Sequence, residues 1–134
     1  MKIQIECMAY KTQKTFKERK DECDKLLQRF PDRVPVIVEQ KQSFPGKLDK
    51  NKYLVPYEIN VGQMLHLIRR RSKCRAETGI FLFVNNTLPA TSSLIYDLAK
   101  ENKEDDGFLY MSVCGEDTYG ADMNGVTLNG ATSK

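Results

Sequence analysis

The side chains of this chain able to do chemistry are few: cysteines at 7, 23, 74 and 114, and a single histidine, His66. Cys74 stands in Arg69-Arg70-Arg71-Ser72-Lys73-Cys74-Arg75, where five cations in seven residues would lower a thiol pKa and favour a nucleophilic thiolate. A thiol hydrolase also needs a histidine poised by a third group. His66 lies eight residues back, on an opposite-leaning part of the same expected helix, so both residues read as structural. The longest unbroken run of carboxylates is Glu104-Asp105-Asp106, ahead of a turn, where a solvated run is expected. No two cysteines form a CxxC pair, and no phosphate-cradling glycine loop or Ser-His-Asp pattern is recognisable. These patterns predict reduced thiols in a cytosolic protein, no zinc or other metal, no cofactor and no intrinsic enzymatic activity.

The basic run could also contact phosphates. No nucleic-acid motif accompanies it, and aromatics are not interleaved with it as stacking platforms, so specific nucleic-acid binding is not expected. The formal net charge of +3 conceals an asymmetry. Residues 1–75 hold 18 Lys and Arg against 9 Asp and Glu, whereas residues 76–134 hold 3 against 9. A basic first half suits an acidic peptide, an anionic membrane surface or nucleic acid, and sign alone does not separate them. The 134 residues fit one globular domain large enough to build its own core. The longest apolar run, Ile80-Phe81-Leu82-Phe83-Val84, is far shorter than the ~20 residues of a membrane span, and the N-terminus lacks the sustained apolar stretch of a secretory signal.

Several elements must hold these residues in place. Phe16, Cys23, Leu26, Leu27 and Phe30 recur at helical spacing among charges and predict an amphipathic helix that stops at Pro31. Val34-Pro35-Val36-Ile37-Val38-Glu39 is β-branched, with a proline suited to a strand start or edge; Lys52-Tyr53-Leu54-Val55-Pro56 follows as its hairpin partner. Asn60 is a cap for a helix over 61–71, with Met64, Leu65, Leu67 and Ile68 on its apolar face. Ile80 to Val84 is dense enough in apolar residues to be a central strand, Asn85-Asn86 is a turn, 91–102 a second helix, and 107–113 the last strand. Strands from both ends with helices between them call for one mixed α+β sheet. A ferredoxin-like arrangement also interleaves four strands and two helices. From Gly115 onward the apolar periodicity is lost, which predicts an extended or disordered tail.

Several segments match one family in order and spacing. They are Phe16-Lys17-Glu18-Arg19-Lys20, residues 29–39 from Arg29-Phe30-Pro31-Asp32-Arg33, residues 48–56 from Leu48-Asp49-Lys50, Val61-Gly62-Gln63, Ile80 to Asn85, Asp106-Gly107-Phe108-Leu109-Tyr110-Met111, and the tail Gly115-Glu116-Asp117-Thr118-Tyr119-Gly120. Together they resemble the autophagy ubiquitin-like modifiers, the family of GABARAP and microtubule-associated protein light chain 3, from about residue 16 to 120. The resemblance implies a ubiquitin-like β-grasp core over 34–114 behind an N-terminal arm and helical extension over 1–33. A flexible conjugation tail over 115–120 and a cleavable propeptide over 121–134 would follow.

The same resemblance implies a function. A cysteine protease would cut between Gly120 and Ala121, activating and conjugating enzymes would take up the new carboxylate, and an amide to phosphatidylethanolamine would carry the protein from the cytoplasm onto autophagosomal membranes. A glycine suits that position independently, because without a Cβ it threads a narrow cleft. Tyr119 replaces the usual phenylalanine before it. The family also binds autophagy receptors through short aromatic-x-x-aliphatic peptides that would add a strand beside Lys52 to Val55. Carried across, the aromatic pocket falls on Glu22, Leu26, Pro35, Ile37, Lys52, Leu54 and Phe108. The aliphatic pocket falls on Tyr53, Val55, Pro56, Ile59, Met64 and Leu67, with Arg71 set to pair with a ligand acid. Lys50 and Lys52, two apart on an extended strand, are expected on one side facing the ligand's acidic flanks. Periodicity alone reads Leu26, Ile37, Leu54 and Met64 as core and the lysines as a solvated face. An unconjugated peptide-binding adaptor in vesicle trafficking or cytoskeletal attachment would use the same groove without needing Gly120 free.

Overall fold

A computed structural model describes residues 10–74 and 79–115. In chain order they form α1 (Tyr10–Gln13), α2 (Phe16–Arg29), β1 (Arg33–Gln40), β2 (Lys52–Pro56), α3 (Val61–Ser72), β3 (Ile80–Phe83), α4 (Ile95–Asn102) and β4 (Leu109–Gly115). The four strands make one sheet in the order β2-β1-β4-β3. The hairpin pairs antiparallel with Val34 opposite Val55, β1 and β4 run parallel with Val36 opposite Leu109, and β3 runs antiparallel to β4. A parallel central pair made by the first and last strands, with a hairpin at one edge, is the β-grasp arrangement.

Local chemistry sets the helix ends. Thr15 and Glu18 exchange side-chain and backbone bonds as a capping box that starts α2, and Asn60 and Gln63 do the same for α3. Arg69, Arg70 and Arg71 fall in the last turn of α3, where cations suit the helix dipole. The helix expected from residue 91 begins only at Ile95. The carbonyls of Thr91 and Ser93 instead accept the backbone N–H groups of Gly62 and Val61, satisfying orphan donors in the first turn of α3.

Strand alternation divides the interior in two. Val34, Val36 and Val38 of β1 join Leu109, Met111 and Val113 of β4 under α3 and α4, in the main core. Ile37 points to the other face, where Cys23 and Leu26 of α2, Phe108 and Tyr10 form a second cluster. Phe16 and Leu27 of α2 stay exposed, so that helix buries a narrower stripe than its spacing predicts. Pro35 sits in an inner strand, yet pairing of β1 with β4 begins only at Val36, so its missing N–H removes no bond to β4. The β3 segment, expected to be central, is an edge strand. Its apolar density comes from burial on both faces: Ile80 and Leu82 join the core, and Phe83 is buried on the opposite side.

Candidate functional site

β2 is the open edge of the sheet next to two helices on opposite faces. Because its side chains alternate, Tyr53 and Val55 turn under α3, while Lys52 and Leu54 are half-buried on the face that α2 covers. One exposed strand edge therefore runs between two differently lined hollows, an arrangement suited to an added peptide strand.

On the α2 side the structure gathers the residues assigned to the aromatic pocket. Ile37 and Phe108 are fully buried as its floor, Leu26 packs against them, and Pro35 is buried in the strand beside Ile37. Lys52 pairs with the Glu22 carboxylate across the mouth from β2 to α2. Burial, then the charge of Lys14, pulls the Lys52 ammonium below its ordinary pKa. Tyr10, in the arm whose role the sequence leaves open, enters the same hollow. Only 2% of it is exposed; its hydroxyl donates to Glu22 Oε1 and its ring meets Phe108 edge-on at 5.7 Å. Burial, then the Asp106 charge, raises the Tyr10 phenol above its usual pKa.

Asp106 corrects the reading of residues 104–106 as a solvated run. It is 2% exposed, and Oδ1 accepts the Phe108 N–H at 2.9 Å while Oδ2 accepts the Tyr110 hydroxyl at 2.5 Å. Arg19 Nε of α2 stands 3.3 Å from Oδ2. The carboxylate thereby fixes Phe108 and ties α2 to the start of β4. Burial and the bond to Asp106 push the Tyr110 phenol far above its normal pKa. Gly107, at φ 98°, lets the turn pass Cys23; a Cβ there would lie 2.7 Å from its Sγ. Burial, followed by the Asp106 charge, pushes the Cys23 thiol up to about 11.

On the α3 side lies a cavity of about 780 Å³. Of the residues assigned to the aliphatic pocket, Tyr53, Val55, Pro56, Ile59, Leu67 and Arg71 line this cavity, and Leu54 reaches it as well. Met64 does not; it is fully buried in the core beneath. Asn60, Gly62, Gln63, His66, Arg70, Thr91 and Ser92 extend the wall, so part of the basic run serves this cavity. Among the lining residues Lys50, Arg70 and Arg71 are cationic and none is acidic. Lys50 and Lys52 do not share one side. β2 begins only at Lys52, and Lys50, before the strand, lies over the Tyr53 ring at 5.2 Å, whereas Lys52 lies at the other hollow. Burial and Asp49 raise the Tyr53 phenol.

Cys74 shares a 3.1 Å contact with the Ser72 hydroxyl, and His66 stands at the cavity wall. Among the described residues no group of three His, Cys, Asp or Glu is placed to hold a metal, and no helix is long and apolar enough to cross a membrane. Gly120 and Ala121 lie outside the described residues.

Known proteins share this layout. The family described as "Autophagy protein Atg8 ubiquitin like" matches residues 18–120. Autophagy-related protein 8 of Mycosarcoma maydis is 45% identical over 114 residues, 84% of this chain and 96% of that protein. Autophagy-related protein 8e of Arabidopsis thaliana is also 45% identical, over 84% of this chain and 93% of its own. The crystal structure of Trypanosoma brucei ATG8 superposes with a TM-score of 0.77 at 36% identity, covering 81% of this chain and 95% of that one.

Proposed function

The chain belongs to the Atg8 family of ubiquitin-like autophagy proteins, and on that premise we propose that it is a lipid-conjugated modifier that recruits peptides to autophagic membranes. A cysteine protease cuts after Gly120; activating and conjugating enzymes then join the freed carboxylate to the amine of phosphatidylethanolamine. The family match ends at Gly120, five residues beyond β4, and five residues reach at most about 18 Å from the folded domain. The protein is cytoplasmic before conjugation and on the autophagosomal membrane after it.

The observation that carries the recruiting role is the open β2 edge between two hollows of different chemistry. An extended ligand gains backbone bonds along β2. Its aromatic residue enters between α2 and β2, where Phe108 and Ile37 give an apolar bed and Lys52 a cation for the ring face. Three residues on, an aliphatic side chain reaches Val55, Pro56 and Leu67. Acids flanking the ligand meet Lys50, Arg70 and Arg71 in a wall without opposing carboxylates.

The test is intact-protein mass spectrometry on the chain recovered from its own cells, comparing wild type with Gly120→Ala. The expected result is a product ending at Gly120 and a heavier phospholipid-linked species, both absent in the variant. A chain found only at full length, unchanged by starvation, would leave the groove to an unconjugated adaptor.

A further inference from the structure

We propose that Tyr10 is an internal occupant of the aromatic pocket, so that the N-terminal arm competes with aromatic-x-x-aliphatic peptides for the groove of its own chain. The inference rests on the groove reading above. Its basis is that Tyr10 already makes the contacts a ligand aromatic would need. Its ring packs edge-on against Phe108 within the cluster of Ile37, Leu26 and Cys23. The Lys52 ammonium lies 5.7 Å from its ring centre, and its hydroxyl donates to Glu22 as a ligand indole N–H or phenol would.

The arm is nevertheless only half a ligand. Gln13, three residues after Tyr10, is polar and exposed, and none of the described residues of the arm lines the aliphatic pocket. Tyr10–Gln13 is helical rather than extended and pairs with no strand. A peptide offering both side chains and a strand therefore has interactions the arm lacks.

The arm is also built to leave. A helix of four residues has no stability of its own, and Tyr10 is the one buried residue in it. Further ties are charged groups at the surface: Lys11 with Glu104 at 2.5 Å, both well exposed, and over the Tyr110 ring at 4.6 Å, and Lys14 with Glu22 at 3.8 Å. Such exposed pairs contribute little, so Tyr10 is the main buried anchor of the described arm, and a one-turn helix held this way belongs to the low-stability part of the molecule. Apparent affinity for a peptide is then the intrinsic affinity scaled by the fraction of molecules with the arm displaced.

Two labelled peptides test this on the full chain by fluorescence anisotropy: one with Trp-x-x-Leu after two glutamates, and the same peptide with Ala for Trp. With the open form at about a tenth of the population or less, Tyr10→Ala should bind the Trp peptide at least about tenfold tighter than wild type. Its affinity for the Ala peptide, which uses only the aliphatic pocket, should be unchanged. Lys11→Glu, which turns the tie to Glu104 into a repulsion and leaves the pocket walls intact, should shift the Trp peptide the same way by less. It also keeps the test available if Tyr10→Ala does not fold. Wild type that binds the Trp peptide while Tyr10→Ala and Lys11→Glu bind it equally or more weakly would overturn the latch and leave the groove standing, with Tyr10 as a wall of the pocket. Failure of every form to bind would overturn the groove and the latch together.

Discussion

Replacing Asp106 by alanine removes the acceptor of two hydrogen bonds, from the Phe108 N–H and the Tyr110 hydroxyl, and the ion-pair partner of the Arg19 guanidinium. The lost ion pair dominates, because breaking a buried pair from one side leaves the other charge uncompensated, at about 3–5 kcal/mol. Arg19 keeps a 12% exposed side chain and some access to water, which favours the lower end, about 3 kcal/mol. For a domain of this size that corresponds to a fall in Tm of roughly 12 °C. Asp106→Asn keeps an oxygen for the Phe108 N–H and should lose about half as much. The assay is thermal and urea unfolding of wild type, both Asp106 variants, Arg19→Ala and the Arg19→Ala/Asp106→Ala double variant. A coupling energy of at least about 1 kcal/mol is expected from the cycle. An Asp106→Ala variant within about 0.5 kcal/mol of wild type, or strict additivity with Arg19→Ala, would refute the claim that this carboxylate ties α2 to β4.

Arg71→Ala should weaken an acid-flanked Trp-x-x-Leu peptide about two- to fivefold and flatten its salt dependence, measured by anisotropy at low and high ionic strength. Gly107→Ala, forced to φ 98° against Cys23 Sγ, should lower stability by about 1–3 kcal/mol, read as a lower urea midpoint. The Cys23 thiol is raised in the folded state from 9 to about 11, so its contribution is fully present below pH 9 and is lost as pH rises toward 11, where the unfolded chain binds fewer protons. Urea midpoints should therefore fall across that window, and a Cys23→Ala variant should show a shallower fall from its own lower starting value; an identical slope would count against the assignment.

Much of this architecture was legible in the residues. The spacing of Met64 and Ile68, the cap at Asn60 and the hairpin of Val34–Val38 with Lys52–Pro56 are local patterns, and local patterns survive folding. The pocket assignments came through the family resemblance, since periodicity does not distinguish a groove wall such as Leu67 from a core residue such as Met64. What escaped depends on distant partners. Asp106 sits in an acidic run and looks solvated, yet Arg19, 87 positions away in sequence, and the turn at Gly107 draw it inside. The Asp-Gly pair ahead of an apolar run was the available signal, since aspartate commonly captures a backbone N–H two residues on. Tyr10 carries no periodicity, being in a helix of one turn. Lys50 departs from Lys52 because the strand starts two residues later than a period-two reading requires. Residue 91 fails to start α4 because its carbonyl serves α3.

Hydrogen–deuterium exchange of the full chain, with and without a saturating Trp-x-x-Leu peptide, tests the groove most directly. The expected result is new protection along Lys52–Pro56 and the α3 residues at the cavity, with faster exchange at Tyr10–Gln13. Protection along Ile80–Phe83 at the opposite edge instead, or none at β2, would contradict it.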